Sequence, residues 1–327
     1  MGVTGLPSPA KITTRSDGMN KVGYIDVSVA TVWTDSSKPR DVDAPALTNP
    51  ADIKTWLSSM TVDQYLDLTD SSRTQTQAVY GTLVHILDYK DGWYKIAVTG
   101  EPSPKNDLGY PGWVPATQVS LDQGYGSLQS DKSFALVDKE ATVPLYRDFF
   151  LRETFMDISY DTRLPVTLNL GLAVQVVAPS GGSAYIRGAD VTIYGSEKDI
   201  PYPSKEDLMT TAKLLLGKPY LWGGTSGFAL DCSGFTHTVY HAHGITIGRD
   251  TGPQASSTDA IPVKKEDLQT GDLLFYATNV SDADTIHHVA MYAGNGEMAE
   301  AYGAGVPVRI TPARFGSEYC GARRYLK

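Results

Sequence analysis

Tyr220-Leu221-Trp222-Gly223-Gly224, with Asp231-Cys232-Ser233-Gly234-Phe235 close behind it, carries a cysteine where loop chemistry gives way to helix chemistry. Glycines and the Thr225-Ser226 pair precede the cysteine, and Phe235, Val239 and Ala242 follow at helical spacing until Gly244 ends the run. Cys232 therefore stands at a helix N-terminus. Unpaired backbone N–H groups and the positive end of the helix dipole stabilise a thiolate in such a place. The thiolate is the nucleophilic form.

A thiol nucleophile needs a base. Of the six histidines, only His287 and His288 open an apolar segment, Val289-Ala290-Met291-Tyr292, that reads as a strand ending in the turn Gly294-Asn295-Gly296. With those three residues as the loop, Ala293 pairs with Glu297, and His288 and Glu300 become near-diagonal neighbours on one face. His288 is the expected base, with His287 as its neighbouring alternative, and Glu300 is the expected orienter of the ring. A cysteine on a helix with its two partners on successive strands meets the requirement for an activated thiol.

These residues belong to a longer series that runs through the last third of the chain in order. Gly217-Lys218-Pro219 leads into Tyr220, and Gly248-Arg249-Asp250-Thr251 with Gln254, Gly271-Asp272-Leu273-Leu274-Phe275, His288-Val289-Ala290-Met291-Tyr292 and Ala322-Arg323-Arg324 follow. Taken together they resemble the NlpC-type cell-wall cysteine peptidases and, within them, the YkfC-type enzymes. The resemblance implies a multidomain fold of two small β-barrel, SH3-like domains followed by an α+β, papain-like catalytic domain. It also implies hydrolysis of the γ-D-glutamyl bond to a diamino acid, meso-diaminopimelate or lysine, in peptidoglycan stem peptides or muropeptides. The third catalytic position is most often histidine in this family, and the present chain has Glu300 there.

In the YkfC-like group a free N-terminal L-alanine is held by an acidic residue beside the nucleophile and by a tyrosine of the first SH3-like domain. Asp231 fits the first role and Tyr110 the second. Ser233, Arg249 and Asp250 match positions lining the same pocket, and Arg249 with Asp250 is alternatively a structural ion pair. Tyr220 and Trp222 read as core aromatics or as pocket residues, and a tyrosine beside a reactive thiol can donate to a developing oxyanion together with the cysteine backbone N–H. Acyl transfer of this kind requires no metal and no cofactor.

With 327 residues the chain has room for two or three domains, and 41% hydrophobic with 20% charged residues is an ordinary globular composition. The net charge of −9 offers no basic stripe for a phosphate backbone, which argues against nucleic acid as a partner. No run reaches the ~18 apolar residues of a membrane span, since the best, from Val166 to Ala178, is broken by Asn169 and Gln175. Met1-Gly2-Val3-Thr4-Gly5-Leu6-Pro7 shows neither a basic n-region nor an apolar h-region, and Leu6 stands where a myristoylation motif has Ser or Thr. The compartment stays open between the cytoplasm and, with a leader removed, the cell envelope or exterior. Two cysteines allow one disulfide at most; with Cys232 catalytic, Cys320 is expected as a lone buried thiol. The chain is expected to act as a monomer.

Val22 to Val32 alternates like one strand, and Asp52 to Leu57 and Val62 to Leu66 read as an inserted helical pair. Thr82–Leu87 and Trp93–Val98 form a hairpin about Asp91-Gly92, and Tyr110 to Pro115, with two prolines, is expected at a sheet edge or terminus. A second set of short strands, suited to a small barrel, begins near Phe134–Val137 and includes Ala141–Leu145, Ala173–Val177, Ala184–Ile186 and Val191–Tyr194. Pro201-Tyr202-Pro203 is a linker, after which Ser204 and Asp207 make a capping box. The expected units are residues 1–124, 125–200 and 201–327. His237 and His241, four apart on the cysteine helix, have metal-ligand spacing but no third ligand, and read as helix-face residues. Three competing readings are an N-acetylmuramoyl-L-alanine amidase, an acyltransferase and a non-enzymatic wall-binding protein.

Overall fold

The computed structural model describes residues 21–327, so the expectations on Met1 to Pro7 lie outside the described residues. Val22–Ile25, Val29–Trp33, Thr74–Val79, Leu83–Lys90, Trp93–Val98, Tyr110–Pro115 and Val119–Ser120 form one seven-stranded antiparallel sheet. The single strand expected from Val22 to Val32 is two. The first half pairs with Leu83–Lys90 and the second with Thr74–Val79, across a corner at Asp26-Val27-Ser28. Val27 is itself fully buried at that corner, so the alternation runs on through the bend and hides it.

The hairpin about Asp91-Gly92 is present, with φ of 48° and 84° at its two central residues, as a type I′ turn demands. Tyr110–Pro115 is not an edge strand. It lies between Trp93–Val98, which it pairs along its whole length, and Val29–Trp33, which it meets at the single pair Trp33–Trp113. A second ladder one pair long leaves its prolines nothing to break.

The inserted helices Ile53–Ser59 and Val62–Asp70 are capped by Asp52 and Thr61. They bury Trp56 against Trp33, and the indole N–H donates to Asp43 at 2.8 Å. Leu221, Phe228 and Ala229, from the loop that leads to Cys232, join this same apolar cluster. Burial of Leu221 and Phe228 is worth roughly 1.5–3 kcal/mol each, so the first unit clamps the loop that carries the nucleophile.

The second seven-stranded sheet contains Phe134–Val137, Thr142–Tyr146, Thr154–Ser159, Arg163–Asn169, Ala173–Val177, Ser183–Arg187 and Val191–Tyr194. Thr154–Ser159 and Arg163–Asn169 are additional to the expected strands. Each buries only part of its length, which removes the alternation that marks a strand in sequence.

Ser204 and Asp207 form the expected capping box on Lys205–Leu214. Cys232–His241 follows, and a six-stranded antiparallel sheet runs in the order Ile261–Val263, Tyr319–Arg324, Leu273–Ala277, Ile286–Gly294, Glu297–Glu300, Arg309–Pro312. Phe235 and Val239 of the helix share one core with Val289 and Met291 of the sheet. The turn after Ile286–Gly294 is two residues, Asn295 and Gly296, both at positive φ, and Gly294 rather than Ala293 pairs with Glu297. A bulge at Ala293 absorbs the difference, so Met291 still faces Ala299 and the strand offset expected for His288 and Glu300 survives. Among the described residues no helix is long and apolar enough to cross a membrane.

Candidate active site

Asp231 caps the cysteine helix, its Oδ1 accepting the Gly234 N–H at 2.7 Å, so Cys232 opens the helix as its first residue. A Cβ on Gly234 would come within 2.0 Å of the Gly224 carbonyl oxygen, so glycine there lets the loop fold down onto the helix. Gly223, at φ 85°, lies against the backbone of Gln75 and Thr76, and the Thr74 hydroxyl donates to the Trp222 carbonyl at 2.6 Å. The nucleophile loop is thus seated on a strand of the first sheet. Cys232 and Cys320 are both free thiols.

Cys232 is 6% exposed and its Sγ lies 3.9 Å from the Thr251 hydroxyl. His288 stands beside Cys232, close enough for the cysteine to bear on its protonation, and its Nε2 lies 2.9 Å from Glu300 Oε2. Burial alone would depress the His288 pKa; hydrogen bonds to Cys232 and Glu300, with their charges, outweigh it and push the value up to about 9. For Glu300 burial pulls upward, and the hydrogen bonds from His288 and Arg314 hold the carboxyl down at about 2. The arrangement keeps a positively charged imidazole between the cysteine sulfur and a carboxylate. His287 points elsewhere, exposed, 3.9 Å from Glu318.

Glu300 has more cations around it than the sequence reading anticipates. Arg314 binds both of its oxygens, at 2.9 and 2.8 Å, and Arg309 lies 3.1 Å from Oε1. The rings of Tyr276 and Tyr302 flank His288 at 5.6 and 5.7 Å, and the Arg314 guanidinium stacks on the same two rings at 5.0 and 5.1 Å. Four side chains thus fix one carboxylate and one imidazole.

Arg249 pairs with Asp231, not with Asp250, which corrects the structural ion pair weighed from sequence. Its guanidinium is 1% exposed and reaches Asp231 at 2.8 and 3.1 Å, Ser233 Oγ at 3.1 Å and Thr76 Oγ1 at 2.9 Å. With Gly223 and Gly234 also donating to it, the Asp231 carboxylate is filled by groups of this chain. That argues against Asp231 as the free acceptor expected for a substrate ammonium. Asp250 is the carboxylate with room: its side chain is 35% exposed, and the Tyr110 hydroxyl donates to both oxygens at 3.0 and 2.9 Å. Tyr110 itself is buried.

Tyr220 is buried beside Cys232, and burial with the nearby Cys232 and Asp231 holds its phenol protonated well above the ordinary range. Trp222 is 37% exposed. Glu101, on the first unit, sits behind Arg249 with Oε2 unpartnered; burial lifts its carboxyl to about 7, against the pull of Arg249 and Thr76. His237 and His241 are not free helix-face residues. His237 is buried against the Ile247 carbonyl, with burial drawing its pKa down to about 3, and His241 pairs with Asp161 of the second sheet. Among the described residues no group of three or more His, Cys, Asp or Glu is placed to hold a metal ion.

Thr76, Glu101, Lys105, Arg309 and Arg314 are contributors that sequence reading leaves unassigned. The first three reach the site from more than a hundred residues upstream, and no local pattern announces them. A buried acid on a strand must find cations, so the arginines that follow Glu300 were the one available signal.

A model described as the NlpC/P60 family matches residues 217–324, and one described as the YKFC SH3b2 domain matches residues 139–194. A protein of Bacillus cereus named gamma-D-glutamyl-L-lysine dipeptidyl-peptidase is 44% identical over 306 residues, covering 93% of this chain and 90% of the relative. A Bacillus subtilis protein of the same name is 33% identical over 300 residues, covering 91% and 96%. The crystal structure of an NlpC/P60 family protein from Bacillus cereus superposes with a TM-score of 0.88 at 43% identity, covering 94% of this chain and all of that one. With such likeness along nearly its whole length, and with Cys232, His288 and Glu300 inside the matched segment, the chain belongs to the NlpC/P60 family.

Proposed function

We propose that this chain is a cysteine peptidase that hydrolyses the amide between γ-D-glutamate and a diamino acid in peptidoglycan stem peptides. The observation that carries the reading is the placing of His288 between Cys232, the first residue of a helix, and Glu300, which it hydrogen-bonds at 2.9 Å. Relatives named for γ-D-glutamyl-L-lysine, matched over nine-tenths of the chain, support the substrate class.

In this reading the proton of the Cys232 thiol already sits on the ring nitrogen of His288 that faces it, and the thiolate Sγ attacks the γ-carbonyl carbon of the D-glutamyl residue. The Cys232 backbone N–H, free as the first of the helix, and the Tyr220 hydroxyl receive the oxyanion. The C–N bond breaks as His288 returns the proton to the leaving amine. Water, deprotonated by the same ring, then releases the acyl group and restores the thiol. Glu300 keeps the imidazolium in place throughout. Lysine and diaminopimelate are both amines at this position and serve equally as leaving groups.

Asp250, with Tyr110 at its oxygens, takes the free N-terminal ammonium of the L-alanine, and Asp231, Arg249 and Ser233 hold the loop that shapes the pocket. Trp222 supplies an exposed apolar wall. An acceptor for a free amine favours released peptides over N-blocked wall, and the reading calls on no partner subunit.

Mass spectrometry of L-Ala-γ-D-Glu-L-Lys, its diaminopimelate counterpart and their N-acetylated forms tests this. The expected outcome is release of the diamino acid from the free peptides and far slower release from the blocked ones. Equal cleavage removes Asp250 from amine recognition. A cut between a muramoyl group and L-alanine would instead make the enzyme an amidase.

A further inference from the structure

The amine subsite is already in contact with an ammonium group, and it belongs to this chain. Lys105 Nζ donates to Gln75 Oε1 at 2.9 Å and to the Tyr110 hydroxyl, lies 3.5 Å from Asp250 Oδ2 and sits 4.3 Å from the centre of the Tyr110 ring. A hydroxyl, an amide oxygen, a carboxylate and an aromatic face around one nitrogen are the complement of a primary ammonium. Lys105 belongs to the connection between Trp93–Val98 and Tyr110–Pro115. Its side chain is 44% exposed, so its charged end is the part that is anchored.

The α-ammonium of a peptide is the same chemical group, and two like charges cannot share one cradle. Resting on the reading in which Asp250 and Tyr110 receive the substrate amine, we infer that Lys105 is a tethered competitor, occupying the amine subsite of the free enzyme and displaced by the free N-terminus. A hollow of about 240 Å³ beside it, lined by Gln75, Lys95, Asn106 and Trp113, gives the side chain somewhere to go. With a blocked N-terminus the lysine stays, Asp250 keeps its partner, and the peptide gains nothing from the cradle. Lys105 thereby weakens binding of free peptides and tempers the preference for them. Half-exposed ion pairs are weak, so the displacement costs a small factor, about two- to fivefold in binding.

Steady-state kinetics of the full chain on L-Ala-γ-D-Glu-L-Lys and its N-acetyl form, with wild type, Lys105→Ala and Lys105→Met, decide the matter. Both variants are expected to lower KM for the free peptide about two- to fivefold, with kcat nearly held and no gain for the blocked peptide, so discrimination widens. A KM that rises for both peptides makes Lys105 a substrate ligand and overturns the inference, as does an unchanged KM. The Met variant keeps the aliphatic stem, so a fault in folding with Ala alone leaves the answer readable. Equal cleavage of both peptides by the wild type overturns the amine subsite and this inference together. A wild-type preference that neither variant alters overturns only the competitor.

Discussion

His288 and Glu300 meet across neighbouring strands at 2.9 Å, with side chains 8% and 0% exposed, and Arg314 closes the far side of the same carboxylate with two hydrogen bonds. Glu300 is thus an anion among three cations. Glu300→Gln leaves the Arg309 and Arg314 charges facing an imidazole without their counter-ion, which disfavours the imidazolium. The expected loss in kcat/KM is roughly 10²- to 10⁴-fold, with part of it regained when Arg314→Gln is added. Steady-state assays of the two single variants and the double variant check this; simple additivity of the losses would count against it.

The pH dependence follows from the same groups. The His288 pKa is raised from 6.5 to about 9, so its contribution to stability is full below the unfolded value and is lost as pH rises through about 9. Activity that depends on the imidazolium falls over the same range. Glu300 is lowered from 4.5 to about 2, so its contribution is full above 4.5 and is lost as pH falls toward 2. The groups facing His288 are Cys232, Glu300, Tyr276 and Tyr302, with Arg309 and Arg314 behind the carboxylate. Arg314→Gln removes a positive charge near the ring, and the alkaline limb of kcat/KM is expected to move up by about one unit. A pH profile of that variant superimposable on wild type would contradict the account.

Glu101 behaves in the opposite sense. Its carboxyl is raised from 4.5 to about 7, so the folded protein holds a proton that the unfolded chain releases, and stability falls as pH rises between those values. Glu101→Gln is expected to stabilise the protein at pH 8 by on the order of 3 kcal/mol and to change little at pH 4. Urea denaturation at the two pH values measures it.

The buried Arg249–Asp231 pair makes a contrasting forecast. Arg249→Met leaves Asp231 buried with its charge unpaired, and the expected cost is about 3–5 kcal/mol. Asp250→Asn touches a side chain 35% exposed and is expected to leave stability within about 0.5 kcal/mol while raising KM for peptides with a free N-terminus. Denaturation and peptide kinetics on both variants separate the pocket from its support.

Much of the site was legible because it is local. Cys232 sits in a loop-to-helix transition written in consecutive residues, and His288 and Glu300 are placed by one hairpin whose register survives the bulge at Ala293. What escaped is long-range. The corner at Val27 is buried like the strands around it, the proline strand Tyr110–Pro115 is internal because its second ladder is one pair long, and Thr154–Ser159 lacks alternation. Which acid Arg249 would choose depended on Thr76 and Pro102, brought in by the first sheet. The filled valences of Asp231 became visible only with the loop folded onto the helix.

The claim on which the rest depends is that Cys232 carries the acyl group. Acid-quenched enzyme incubated with L-Ala-γ-D-Glu-L-Lys, digested and mapped by mass spectrometry, tests it most directly. The account predicts an L-alanyl-γ-D-glutamyl thioester on the peptide containing Cys232, absent in Cys232→Ala, which also hydrolyses nothing. Hydrolysis sustained by Cys232→Ala, or an adduct at Cys320 in its place, would contradict it.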